Sequence, residues 1–408
     1  MTDQPLVRDP AHHLALASLA DDQLAWAARS VVDRGFGWLT DEGVPDRARP
    51  AELWITARMT HVFALASAQG DDRWAAELAH GVTALTVHFV DPEFGGWVPT
   101  LGPELPAYPK RLYDHAFVIL AGSSLMVADV EGGRELLEQA LATVDAHFWE
   151  PEASLARESF VADWSVCEDY RGVNANMHLV EAYLAAGHAT GDVEMYRRAL
   201  GIASRVVNEW ARVQEWRIPE HFTAAWVPLP DYNLDRVDDP FRPFGITPGH
   251  GLEWARLLLH LETVLEPSEA PWLRDAAIAL ARRALADGWL EPGGIVYTTD
   301  HDGVPVVEER FHWVTCEALA ATAVLEAVTN DREWADWYER IWLFALQHLI
   351  APDGAWIHEL GPSLELSQRT WAGRPDVYHA YQALMIPRAP VTVSVMASAQ
   401  AMRFARDA

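Results

Sequence analysis

The chain has 408 residues, 50% hydrophobic and 10% aromatic, enough apolar material for a large core, and this excludes a disordered protein. Its formal charge is -28, from 59 acidic against 31 basic residues, a balance that repels nucleic acid and anionic lipid and suits a neutral substrate. No apolar run approaches the ~20 residues that span a bilayer. The N-terminal stretch MTDQPLVRDPAHHLALASLADDQ is polar where a signal peptide is apolar. A soluble, cytoplasmic protein is expected, with neither nucleic acid nor membrane as a partner.

Short Gly/Trp-bearing stretches recur along the chain at spacings of about 60 to 70 residues. In order they are Gly35-Phe36-Gly37-Trp38, Gly95-Gly96-Trp97, a degenerate Pro151-Glu152-Ala153-Ser154, Thr223-Ala224-Ala225-Trp226, Gly293-Gly294-Ile295-Val296 and Asp353-Gly354-Ala355-Trp356. Such a period marks repeated supersecondary units. Between the stretches, helical apolar spacing covers 51–68, 111–130, 176–189, 251–264 and 315–328. Each ends in a short polar break, such as Thr190-Gly191-Asp192 or Thr329-Asn330-Asp331, whose Asp suits the N-cap of a second helix. The unit reads as helix, turn, helix, then a short extended hairpin.

Six such units fill the chain as one domain, 1–408. Strand content is too low for a parallel α/β barrel. The faces of the first helices mix polar and apolar groups: Trp54 with Arg58, Tyr113 with His115, Asn174 with His178, His250 with Glu253. A solenoid core would be apolar there, so the expected fold is all-α: an (α/α)6 barrel of six helical hairpins, with short β-hairpins or loops at one end and a polar central cavity. Of the 19 Trp, most belong to the core, and Trp54, Trp313 and Trp371 are expected at the cavity because they accompany polar residues.

Chemistry concentrates in a few segments. Thr247-Pro248-Gly249 marks a helix start and puts His250 in its first turn, with Glu253 three residues on. A carboxylate one turn from an imidazole orients it and tunes it as a general acid/base. Pro375-Asp376 marks another helix start and puts His379 in the first turn there. Asn174 and His178, four apart, share a helical face. Asp114, in Tyr113-Asp114-His115, reads as a helix-start acid. No His-Glu-x-x-His, Cys/His cluster, acid-dense calcium loop, phosphate loop or dinucleotide fingerprint occurs, so neither metal nor cofactor is expected. Cys167 and Cys316 lie far apart and indicate no disulfide, and Cys316 is expected as a buried thiol. Lys110 is the only lysine.

Together, Trp54-x3-Arg58, Tyr113-Asp114-His115-Ala116-Phe117, Asn174-x3-His178, Pro248-Gly249-His250-x2-Glu253-Trp254 and the His379 segment resemble the N-acylglucosamine 2-epimerase superfamily, whose fold is the (α/α)6 barrel. Arg242-Pro243-Phe244-Gly245 and Gly373-Arg374-Pro375-Asp376-Val377-Tyr378-His379-Ala380 resemble its aldose–ketose isomerase branch. That resemblance implies metal-independent interconversion of D-mannose and D-fructose, with D-lyxose and D-xylulose as a second pair. It implies His379, His250 and Glu253 as catalytic residues. Arg58, Trp54, Tyr113, Asn174, His178 and Arg242 would bind substrate, with Arg236 as the alternative to Arg242. Trp313, Glu317, Trp371 and Gln382 are further cavity candidates. The partner is a monosaccharide. Alternatives are a sugar 2-epimerase of N-acylglucosamine or cellobiose type and a sulfoquinovose isomerase. More distant are a glycoside hydrolase using Glu253 and Glu317, a non-catalytic sugar-binding protein and a helical scaffold.

Overall fold

The breaks between paired helices fold as their residues dictate. Gly191 and Asn330 end one helix in the left-handed region, at φ 74° and 55°. Asp192 and Asp331 then start the next, each side chain accepting from a backbone N–H two residues on. In this computed structural model, which describes residues 4–407, the chain forms thirteen α-helices. They are α1 (Pro10–Arg29), α2 (Leu53–Ala68), α3 (Ala75–Thr83), α4 (Leu112–Val127), α5 (Gly133–Thr143), α6 (Val173–Thr190) and α7 (Val193–Ala203). After these come α8 (Pro248–Glu262), α9 (Leu273–Gly288), α10 (His312–Thr329), α11 (Arg332–Phe344), α12 (Tyr378–Met385) and α13 (Val395–Asp407).

Burial sorts them into two layers. In α2 every residue except Ser67 is buried, and α4, α6, α8, α10 and α12 are nearly as enclosed. A helix covered on all sides belongs inside. By contrast α11 buries Trp334, Ala335, Tyr338, Ile341 and Trp342 on one stripe and exposes Asp336, Glu339 and Arg340. The six inner helices contact one another in the order α2, α4, α6, α8, α10, α12, and α12 returns to α2. This closed ring is the (α/α)6 barrel read from the sequence.

The outer layer follows the expected hairpins with one difference. Helices α3, α5, α7, α9 and α11 each pack on the inner helix that precedes them. The sixth outer helix is α1, which packs on α12. The two ends of the chain therefore make the sixth unit, and five hairpins, not six, are continuous in sequence. Helix α13 lies across the ring and touches both α2 and α6. At the same end, the His260 ring in the last turn of α8 hydrogen-bonds the Thr392 carbonyl. That end, where the inner helices finish, is closed.

Five of the six Gly/Trp stretches are hairpin turns directly after an outer helix. Their strands or bridges are Val31–Val32 with Gly35–Phe36, Val90 with Trp97, Trp149–Glu150 with Leu155–Ala156, Trp289 with Ile295, and Ile350 with Trp356. The fourth is out of register. After α7 the chain turns at 211–217 without glycine, using Glu215 and Trp216 at φ 55° and 69°. Thr223-Ala224-Ala225-Trp226 belongs to the following hairpin, bridged by Phe222 and Pro228.

Two buried polar side chains tie hairpins to inner helices. Asn176 of α6 donates through Nδ2 to the carbonyls of Ala156 and Gly172, both at 3.0 Å, and accepts from the Ala156 N–H at 2.8 Å. Lys110 is fully buried, and its Nζ donates to Asp91 Oδ2 and the Gly95 carbonyl at 2.6 Å each, over the Trp164 ring. Asn176→Ala strands buried backbone groups of the hairpin. It is expected to lower the free energy of unfolding by about 1–3 kcal/mol, measured by denaturant titration.

Candidate active site

Every inner helix starts at the same end of the ring, and its first turn delivers a side chain to one cavity. The second residue does this on five helices: Trp54, Tyr113, Asn174, Trp313 and His379. On α8 it is the third, His250. One turn deeper, Arg58, His178 and Glu253 form the floor. Pro240, Phe241 and Pro243 from the loop before α8, and Trp371 and Pro375 from the loop before α12, roof it. Phe241 and Trp371 meet edge to face at 5.4 Å, with Trp54 against both. Six helix N-termini pointing at one space favour negative charge there.

His250 and His379 are held alike. His250 Nδ1 is 2.8 Å from Glu220 Oε1, and His379 Nδ1 is 2.8 Å from Glu317 Oε1. Each carboxylate fixes its ring through Nδ1 and leaves Nε2 for the cavity. The Trp313 ring sits between them, 5.4 Å from one imidazole and 5.8 Å from the other. Burial, with Arg58 nearby, holds the His379 pKa well below the usual histidine value, so the ring stays a neutral base.

Arg58 donates to Asp376 at 3.1 Å and to the Tyr113 hydroxyl at 2.7 Å, which aims its guanidinium across the floor. His178 Nδ1 lies 3.6 Å from Glu253 Oε1. Burial, Arg58 and the other two histidines lower the His178 pKa well below normal. Burial first, then Glu317, pushes the Glu253 carboxyl well above the usual range.

Beneath the floor is Arg256, fully buried. It donates to Glu317 at 3.0 Å and lies 3.5 Å from Glu181 and 3.7 Å from Glu253. Burial opposes its charge, but Glu317, Glu181 and Glu253 together raise its pKa. His178, Glu181 and Glu253 also have the spacing of metal ligands, within 4.8 Å of one another. The Arg256 guanidinium already supplies positive charge to that set.

The residues expected from the sequence fall into three groups. Trp54, Arg58, Tyr113, Asn174, His178, His250, Glu253, Trp313, Trp371 and His379 border the cavity. Glu317 and Gln382 are buried behind it: Glu317 serves His379, and Gln382 lies against His61. Arg242 is a correction. Its guanidinium turns away, bound to Glu168 at 2.7 and 2.9 Å and stacked on Tyr170, while Arg236 is exposed beside Asn233 and Asp239. A second correction concerns pairing: the carboxylate on His250 is Glu220, because Glu253 points one turn deeper to His178 and Arg256. His115 also leaves the site, packed outward among Trp97, Phe148 and Trp164. Sequence reading missed Tyr297, His312, His358 and Asp376 in the lining, and Glu220 behind it. Asp376 alone had a signal, its place in the helix-start Pro-Asp, where Oδ1 does accept from the Tyr378 N–H.

The model of the N-acylglucosamine 2-epimerase (GlcNAc 2-epimerase) family matches residues 35–383. The chain belongs to this family. It is 46% identical over 375 residues to a D-mannose isomerase of Thermobifida fusca, covering 90% of this chain and 92% of that one. It is 43% identical over 401 residues to a D-mannose isomerase of Pseudomonas cannabina pv. alisalensis, covering 97% of both. A crystal structure of a D-mannose isomerase superposes with TM-score 0.86 at 27% identity, over 93% of this chain and 99% of that one. All cavity residues of this family member lie inside the matched span. Arg256→Leu removes the common partner of three buried carboxylates, and an unfolding free energy lower by about 3–5 kcal/mol is expected by denaturant titration.

Proposed function

We propose that this chain is a D-mannose isomerase, a single catalytic domain converting D-mannose to D-fructose and back. The observation that carries the reading is the pair of imidazoles, each fixed through Nδ1 by a buried carboxylate and both bordering one cavity. The similarity to D-mannose isomerases along the whole chain supports it.

The chemistry assigns roles. The sugar ring opens, a proton leaves C2, and a proton arrives at C1, with a cis-enediolate between. His379 is the group that moves the proton between C2 and C1. A neutral imidazole within reach of C2 is the base this step needs. His250 opens the ring and moves protons between O1 and O2. Arg58, with neutral His178 and the surrounding helix N-termini, stabilises negative charge on the enediolate oxygens. Glu253 faces His178 and Arg256 from the floor. Trp313 gives the sugar an apolar face, and Tyr113 and Asn174 hold hydroxyls. Trp54, Phe241 and Trp371 close the roof.

Charge selects among the sugars. Arg58 is the one cation bordering the cavity among the described residues, and Asp376 and Tyr113 already hold it. Arg242 is committed to Glu168. A C6 sulfonate would have no unpaired cation to meet, which favours a neutral hexose over sulfoquinovose. Glycoside hydrolysis needs two acids across the bond. Here Glu317 stands behind His379, and Asp376, the acid that borders the cavity with Glu253, is bound to Arg58. Both cysteines are free, and no helix among the described residues is long and apolar enough to cross a membrane. The proposal places the enzyme in the cytoplasm.

NMR of D-mannose incubated with the protein in D2O tests the reading. Fructose carrying deuterium at C1 is expected, unchanged by EDTA. Unreacted mannose, with turnover of N-acetylmannosamine or cellobiose instead, would replace it with an epimerase, and EDTA inhibition reversed by a divalent ion would bring the Glu181–Glu253 cluster into the mechanism.

His379→Ala is expected to fold and to lose ~10²–10⁴ in kcat, the usual share of a general base. In the unaltered enzyme, base must be unprotonated. Because the His379 pKa is lowered, its base form persists on acidification, and the acid limb of kcat/KM is expected below pH 6.5, the ordinary histidine value. A limb at or above that value would count against His379 as the base.

A further inference from the structure

The cavity contains a histidine that the proton-transfer scheme does not use. His312 opens α10, next to Trp313, and is only 6% exposed. Its backbone N–H donates to the His358 carbonyl at 3.0 Å, and the two rings stack with centroids 3.7 Å apart and planes 21° from parallel. Both rings border the cavity. Neither ring nitrogen of His312 makes a well-formed hydrogen bond within the protein; the His358 carbonyl that bears on the ring is already bonded to the His312 backbone N–H.

That leaves His312 unlike its neighbours. His250 has Glu220, His379 has Glu317, and Arg58 has Asp376 and Tyr113. No carboxylate touches either nitrogen of His312, so nothing supports it as a base. Burial lowers its pKa to about 4, and it is neutral at physiological pH. A neutral imidazole offers one N–H donor and one acceptor nitrogen. A sugar hydroxyl, itself donor and acceptor, can pair with either nitrogen. Packing alone does not explain the residue, since a phenyl ring would stack on His358 without burying two unpaired nitrogens.

We infer that His312 reads a substrate hydroxyl outside the reacting C1–C2 pair, with His358 as the positioning residue that holds its ring plane. The inference rests on the isomerase reading and extends it. The site is thereby selective for neutral aldoses that carry a free hydroxyl at the position His312 faces. A site built around such a hydrogen bond rejects the analogue that lacks the hydroxyl far more strongly than an apolar wall does.

The test crosses protein with substrate. His312→Phe keeps the ring and the stack and removes both nitrogens; His312→Asn keeps a donor and an acceptor and guards against a folding failure, with circular dichroism as the control. Each protein is assayed on D-mannose, 3-deoxy-, 4-deoxy- and 6-deoxy-D-mannose, and D-lyxose, which lacks C6. In the unaltered enzyme, one of these changes is expected to lower kcat/KM by about tenfold or more. In His312→Phe, mannose is expected to fall to the level of that analogue, and the difference between them to vanish. His312→Asn is expected to retain part of it. An unchanged ratio of mannose to every analogue in His312→Phe would overturn the inference, and so would mannose turnover within twofold of the unaltered enzyme. If no protein turns over mannose, the isomerase reading fails on its own. Calorimetric binding of the same sugars then decides His312 separately, with equal affinities in the unaltered protein and His312→Phe counting against it.

Discussion

One buried guanidinium organises the machinery of this barrel. Arg256 sits at the axis below the cavity, and three carboxylates converge on it from three inner helices: Glu181 of α6, Glu253 of α8 and Glu317 of α10. Each has a second partner above. Glu317 holds His379, Glu253 faces His178, and Glu181 accepts from the Tyr378 hydroxyl. The positions of two histidines and one tyrosine therefore depend on a single cation that touches no substrate. Buried carboxylates without it would repel one another and take up protons, as the raised pKa values of Glu181 and Glu253 already indicate. Because the partners come from neighbouring helices, the network also fixes how far those helices can slide along one another.

The second organising feature is polarity of direction. Six inner helices begin at the cavity and finish near α13. Their aligned dipoles bring positive potential to the space where an enediolate would form. Against a chain of net charge -28, this gives a local field opposite to the global one. The side chains that meet this space stand in two rows: one at the second or third residue of each helix, and one a turn below. Arg58, His178, Glu253 and Glu317 all occupy the lower row.

That layering explains what could be read from the sequence. Pairs such as Trp54 and Arg58, or Asn174 and His178, are one turn apart on one helix, and spacing reveals them. So do the recurring turns, because glycine is needed where the chain doubles back. Contacts between helices leave no such trace. Glu220 reaches His250 from a hairpin, and Asp376 reaches Arg58 from the start of the neighbouring α12, so neither pairing was legible, although Asp376 itself was visible as a helix-start acid. Glu253 was visible but misassigned, since i to i+3 spacing cannot tell a carboxylate that rises to the imidazole from one that dips toward Arg256. Arg242 adjoined the right loop, but Glu168 and Glu158 draw its side chain away. The pairing of α1 with α12 escaped for the same reason: the contact joins the two ends of the chain. The turn after α7 escaped because Glu215 and Trp216 adopt the left-handed backbone where glycine was the expected signal.

The Lys110 clasp has a practical consequence. It is the sole lysine, its ammonium is sealed beneath Trp164 and held by Asp91 and Gly95, and every other basic side chain with fixed charge is arginine. Reagents that acylate or cross-link side-chain amines find no target on the folded surface. Coupling to a carrier through lysine would report unfolding at the hairpin beside the barrel mouth rather than attachment to the native enzyme, whereas carboxylate-directed chemistry has abundant exposed handles.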